Sequence, residues 1–309
     1  MKHKRQHFVP QSYLKAWCDP DTPTGQEPYV WLYEKKGDGV RKKSPAKTFV
    51  ETDFYTIKVN DGGRDLRLEH GLSQLEARFA ALRQNRLSRG LPITPRDHLH
   101  LCAFVATMHA RTKSRNEFLR EQWQGALDMM KRLDAAMQKA SPEQSEQMAR
   151  ALVPLDGENR TGMTMADVES VADHPVQQLL SGEAHVVTLG LMHIPFTIIE
   201  AADSPGFIAS DAPCVWFDSE LYNESPAFGA GGLISPTLEI CMPLSPRQLI
   251  LFGYQHIAGN QYLPPAVGDR LVDLVNRRIW DYADEYVVVN QQVDKQPWRM
   301  AGQEELPEE

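Results

Sequence analysis

The chain has little cysteine and no long apolar run, and both absences exclude whole classes of protein. Its 309 residues hold four cysteines (Cys18, Cys102, Cys214 and Cys241), far apart and without a CxxC pair. That pattern is neither a zinc ribbon nor a disulfide framework, and reads as reduced thiols of a cytoplasmic protein. No stretch of about 18 apolar residues occurs, so no membrane-spanning segment is expected. The basic first residues lead into no apolar core of a secretory signal. The HExxH, GxSxG, P-loop and dinucleotide-binding fingerprints are all missing, as are C2H2 spacing and an RNA-recognition signature. The run Gly229-Ala230-Gly231-Gly232 lacks a following Lys-Ser/Thr and does not qualify as a phosphate loop. No internal repeat is present.

What the chain does contain is ordinary in bulk and uneven in detail. Hydrophobic residues make up 42% and charged residues 24%, with a formal net charge of −8. That charge argues against a broad surface for coating nucleic acid. Three basic stretches run against the average: Lys2-His3-Lys4-Arg5, Arg41-Lys42-Lys43, and Arg111 with Lys113 and Arg115. They leave room for a local basic groove that takes nucleic acid or a nucleotide. The tail Glu304-Glu305-Leu306-Pro307-Glu308-Glu309 is expected to be disordered.

The elements follow from spacing. A polar, basic N-terminus would normally fray, but here Phe8, Tyr13, Leu14 and Trp17 carry too much apolar surface to leave in water. Pro10 reads as the first position of a short helix with Phe8 as a staple, which puts His7 at a helix entrance facing a negative partner. Residues 28–50 read as a small hairpin, and Thr48 to Val59 as a further strand. Leu68, Leu72, Leu75, Phe79 and Leu82 mark an amphipathic helix. A second begins at Thr94-Pro95 and continues, with a kink, to about Lys139; another opens at Pro142, and Thr164 to Leu180 is helical again. From Ala184 the pattern changes: 184–191, 197–201, 207–210, 214–218, 239–243 and 248–253 read as strands of a mainly antiparallel sheet. The segment 219–236 reads as a long loop, a candidate lid. A helix over 264–280 and a strand over 285–289 close the chain. The expected class is α+β, one unit, with a helical N-terminal half packed on a mainly antiparallel C-terminal sheet and flanked by a C-terminal helix. Its parts are a hook and small strands (1–60), helices (64–183), sheet plus helix (184–295) and the acidic tail (300–309).

Chemistry concentrates at a few places. On the helix from Pro95, His98 and His109 share a stripe, yet about 16 Å of axial rise keeps them from ligating one metal. His100, Phe104, Met108, Arg111 and Arg115 form the neighbouring stripe. Arg111 is thus expected near the core, needing an anion: either Glu76 on the facing helix, or a ligand phosphate or carboxylate. Ser210-Asp211-Ala212-Pro213 reads as a sharp strand exit, so that Asp211 either caps the corner or serves as a catalytic or metal-binding carboxylate. Glu200, on the strand just before, is the second carboxylate that Mg²⁺ or Mn²⁺ would need there. His7 and Gln11 either dock the N-terminus as a hook or line a pocket.

Several blocks spread over nearly the whole chain resemble the DUF4238 family. They are His7-Phe8-Val9-Pro10-Gln11 with Tyr13-Leu14; Trp31-Leu32-Tyr33; Asp53-Phe54-Tyr55; Leu68-Glu69 with Leu75-Glu76; Arg111-Thr112; the Ser210-Asp211-Ala212-Pro213 corner; and Cys241-Met242-Pro243-Leu244-Ser245-Pro246. The resemblance implies a shared fold and a common polar centre of His7, Gln11, Glu69, Glu76, Arg111 and Asp211, but no reaction. The leading expectation is a hydrolase acting on a phosphodiester or nucleotide-like substrate, of the kind a defence- or toxin-associated nuclease would be. His7, Glu76 and Asp211 would be catalytic, with Asp211 and Glu76 holding Mg²⁺ or Mn²⁺. Gln11, Arg111, Arg115 and Lys4 would bind substrate. Two alternatives stand beside it: a non-catalytic binding module whose polar cluster is structural, and a metal-independent hydrolase or transferase.

Overall fold

Apolar spacing and capping chemistry place most elements of the computed structural model, which describes residues 5–58, 64–151, 162–220, 232–254 and 261–299. The chain starts with β1 (Arg5–His7) and the four-residue α1 (Gln11–Leu14), then the strands β2 (Val30–Glu34), β3 (Val40–Lys43), β4 (Val50–Thr52), β5 (Ile57–Lys58) and β6 (Arg64–Asp65). Six helices follow: α2 (Arg67–Asn85), α3 (Pro95–Ala110), α4 (Lys113–Lys139), α5 (Pro142–Ala151), α6 (Met165–Asp173) and α7 (Pro175–Leu191). The remainder is β7 (Phe196–Glu200), β8 (Ala209–Ser210), β9 (Val215–Asp218), β10 (Leu238–Ser245), β11 (Gln248–Gly253), β12 (Tyr262–Leu263), α8 (Pro265–Tyr282) and β13 (Tyr286–Val289). The fold is α+β.

Two sheets organise the strands. One runs in the order β12-β7-β11-β10-β9, antiparallel except for the β12–β7 pair. The other, β3-β2-β13-β8, is antiparallel throughout and joins strands from both ends of the chain. Small ribbons pair β1 with β4 and β5 with β6. The N-terminal anchors close the core: Tyr13 and Trp17 are fully buried, the Tyr13 hydroxyl donates to the Pro243 carbonyl at 2.7 Å, and Trp17 Nε1 donates to Phe207 O at 2.9 Å. Rings of Phe79 on α2 and Phe104 on α3 stack at 3.7 Å between centroids. No helix among the described residues is long and apolar enough to cross a membrane.

The structure corrects several readings. The helix expected from Pro95 to Lys139 is two helices, because Arg111 leaves helical geometry and the Thr112 side chain caps α4 by accepting the Arg115 amide. Arg115 therefore does not continue the Arg111 stripe. The expected strand at 184–191 is the second half of α7. His185-Val186-Val187-Thr188 is β-rich in composition, but Val176, Leu180, Val187 and Leu191 bury one helical face while Val186 stays exposed. The strand expected over 48–59 is broken by residues of positive φ at Phe49 and Asp53, leaving only β4 and β5. His7 ends a strand paired with β4 instead of fronting a helix, and α1 is too short to offer a dipole. Glu200 and Asp211 do not share a sheet: β7 belongs to the five-stranded sheet and β8 to the four-stranded one. The crossing between them needs Gly206, whose φ is +74° and whose added Cβ would collide with the Pro246 carbonyl. Lys4, residues 221–231 of the candidate lid and the acidic tail lie outside the described residues.

Candidate functional site

β1 brings three side chains of opposite habit into one place. Gln6 points inward and is fully bonded: Nε2 donates to Glu69 Oε2 at 2.9 Å and to Thr56 Oγ1 at 3.2 Å, while Oε1 accepts the Tyr55 amide at 2.7 Å. His7 lies half-buried, its Nε2 3.2 Å from the Pro45 carbonyl. A carbonyl only accepts, so that nitrogen carries the proton and Nδ1 is the acceptor nitrogen of the neutral ring. Burial holds His7 below its ordinary 6.5 and the Arg111 charge pulls the same way, while the backbone contacts to Pro45 and Ala46 and the Glu76 charge pull it back up.

Arg111 locks this strand to α2. Its side chain is 1% exposed. Nε donates to Phe8 O at 2.6 Å, Nη2 to His7 O at 2.9 Å and Nη1 to Glu76 Oε1 at 2.9 Å. Burial pushes the Tyr55 hydroxyl up to about 12, and it donates to His7 O at 3.3 Å. Between these groups lies a cavity of about 100 Å³ lined by Arg5, His7, Glu69, Ser73 and Glu76. That is room for a few waters or one phosphoryl-sized group, not a nucleoside.

The sequence-derived candidates divide into two neighbourhoods. His7, Glu69, Glu76 and Arg111 converge. Gln11 opens α1 and does not line the cavity. Arg115 pairs with Glu183, at 2.8 Å from Nε and 2.6 Å from Nη2, beside a separate cavity of about 420 Å³ that also meets His109 and Asp284. Asp211 accepts the backbone amides of Asp284, Glu285 and Tyr286 at 2.8–2.9 Å, and Asp284 in turn accepts the Ser114 amide at the start of α4. Burial pushes the Asp211 carboxyl up to about 6 against the pull of those amides. With Asp211 committed to amides and Glu76 to Arg111, this donor set does not fit Mg²⁺ or Mn²⁺. Among the described residues no group of three or more His, Cys, Asp or Glu is placed to hold a metal ion.

Gln6 and Thr56 were missed by motif reading, and Tyr55 stood there only inside the Asp53-Phe54-Tyr55 block, with no site role. One signal pointed to Gln6: an amide beside Phe8 on the inward side of a strand must find partners when buried.

His109 supplies a pH-dependent element near the second cavity. Its ring stacks on Trp216 with centroids 4.4 Å apart, and burial with the Arg115 charge lowers it to about 4. The unfolded chain takes up this proton near 6.5 and the folded one only near 4, so stability is lost as pH falls across that window. Asp211 works in the opposite sense between 3.8 and about 6, because there the folded state holds the extra proton. Comparing wild type with His109→Phe cancels the Asp211 contribution. Urea titrations at pH 7 and pH 4.5 should show wild type losing about 2 kcal/mol more than the variant. Equal losses would remove His109 from the account.

No curated protein and no solved structure matches this chain. A family model described as "Protein of unknown function (DUF4238)" matches residues 5–292 of the 309, which contain both neighbourhoods. The chain belongs to the DUF4238 family.

Proposed function

We propose that the cavity beside His7 is a metal-independent hydrolytic site for a phosphodiester of nucleotide type. One observation carries this reading: the His7 ring, held below its ordinary 6.5 and with Nδ1 as its acceptor nitrogen when Nε2 faces Pro45, lines a solvent-open cavity together with Glu76 and Arg5. In this chemistry Nδ1 removes a proton from an attacking water as its oxygen bonds to phosphorus. The P–O bond to the leaving alkoxide breaks, and the imidazolium returns the proton to that oxygen. The Glu76 charge steadies the imidazolium, and Arg5 holds the phosphate anion. Arg111 and Gln6 are positioning residues: the first fixes Glu76, the second ties β1 to Glu69.

The test is turnover of bis(p-nitrophenyl) phosphate, single-stranded RNA and DNA in EDTA. Wild type should remain active, with a rate that rises with pH through an acid limb below 6.5. His7→Gln and His7→Ala should lower kcat about 10²–10⁴-fold, while far-UV circular dichroism stays that of wild type. Activity abolished by EDTA, a His7→Gln protein as fast as wild type, or no turnover of any of the three substrates overturns the proposal. The last outcome leaves the cluster a structural one.

A further inference from the structure

The C-terminal half of α2 and the first turns of α3 enclose a cleft of about 450 Å³, with basic groups on both walls. Arg78 on α2 and Arg86 just past its end line the cleft from one side. Arg96 and His100 come from α3, one turn apart. The one carboxylate lining the cleft among the described residues is already spent. Asp97 Oδ2 accepts the Thr94 hydroxyl at 2.6 Å and Arg86 Nε at 2.9 Å, and closes the α3 capping box. That box satisfies the helix terminus, so the cleft's attraction for an anion resides in side chains. Arg78 and Arg96 have no hydrogen bond or ion pair among the described residues, and both are exposed. Burial lowers His100 below its ordinary 6.5, and the Arg78 and Arg96 charges add to that against the opposing pull of Asp97, so both guanidiniums act on this ring. Like charges gathered this way cost stability without a counter-ion, and they sit on a chain of net charge −8.

We infer that this cleft binds a ligand carrying two or more linked phosphoryl groups, one engaged by Arg78 from α2 and one by Arg96 from α3. Guanidinium forks match phosphate oxygens two at a time, so two unpaired forks on opposite walls suit a diphosphate better than a single small anion. Among the described residues no aromatic side chain other than His100 lines the cleft, so they offer a nucleobase no stacking platform there. The chemistry recognised is thus the phosphate chain, whether inorganic or the tail of a nucleotide. This site is separate from the His7 cavity and does not depend on its being catalytic.

The experiment is isothermal titration of the full chain with inorganic pyrophosphate, orthophosphate, sulfate and ADP at constant ionic strength. Pyrophosphate should bind more tightly than orthophosphate or sulfate. Arg78→Gln and Arg96→Gln should each weaken it about tenfold, and the double variant should abolish it. Arg132→Gln, on exposed α4, should leave it unchanged. Both tested arginines are exposed and unpaired, and each removal relieves like-charge repulsion, so neither variant should melt below wild type. ADP binding as tightly as pyrophosphate supports the site and assigns it to nucleotides; weaker ADP binding supports it and assigns it to inorganic diphosphate. No pyrophosphate binding by wild type, or an equal loss in Arg132→Gln, overturns the inference.

Discussion

The Arg111→Ala protein is expected to lose about 3–5 kcal/mol of folding free energy, measured by urea denaturation at pH 7. The size follows from what is left behind. Alanine strands the Phe8 carbonyl, leaves the His7 carbonyl only the longer Tyr55 bond, and takes from Glu76 its ion-pair partner, in a place where the guanidinium is 1% exposed. Unmade bonds of this kind cost more than made ones contribute, because the stranded groups have lost water as well. Arg111→Lys should recover only part of the loss, since one ammonium cannot span three acceptors fixed in a fork. A double-mutant cycle with Glu76→Gln should show a coupling of about 1–3 kcal/mol. An Arg111→Ala protein within about 1 kcal/mol of wild type would mean that β1 is held by its apolar anchors alone.

For Asp211→Ala we expect a loss of about 3 kcal/mol at pH 7, from three backbone amides deprived of their acceptor at once. The damage should spread, because Asp284 depends on that turn to cap the first residues of α4. Asp211→Asn keeps an oxygen acceptor and no ionisable proton. It should lose less, and it should flatten the pH dependence between 3.8 and about 6 that the raised carboxyl contributes. Turnover of bis(p-nitrophenyl) phosphate by Asp211→Asn should stay near that of wild type if Asp211 is a capping residue. A stable Asp211→Asn protein without turnover would return this carboxylate to the catalytic group.

These two residues show different degrees of legibility. The Arg111–Glu76 pair was readable because two amphipathic stripes each set a rotational phase. Arg111 one turn beyond Met108 and Glu76 bordering the stripe of Leu72, Leu75 and Phe79 must face each other if the stripes pack. The limit of that reasoning is Arg115, where a Thr112 cap resets the phase and sends the guanidinium to Glu183. The Asp211 corner was readable as a corner but not in its partners, since the amides it holds lie more than seventy residues away.

The sequence by itself determined the class, the amphipathic helix α2, the Thr94-capped start of α3, the apolar anchors of the N-terminus and the hairpin of β2 and β3. Those depend on spacing of 2 or 3.6 residues and on side chains bonding to amides within three residues, all of which are local. Only the tertiary structure decided that Gln6 meets Glu69 across 63 positions, that Glu200 and Asp211 sit in different sheets, and that Arg78 and Arg96 face one cleft. Periodicity fixes which face an element presents, whereas its neighbour depends on how the whole core closes, and no short window of sequence contains that closure.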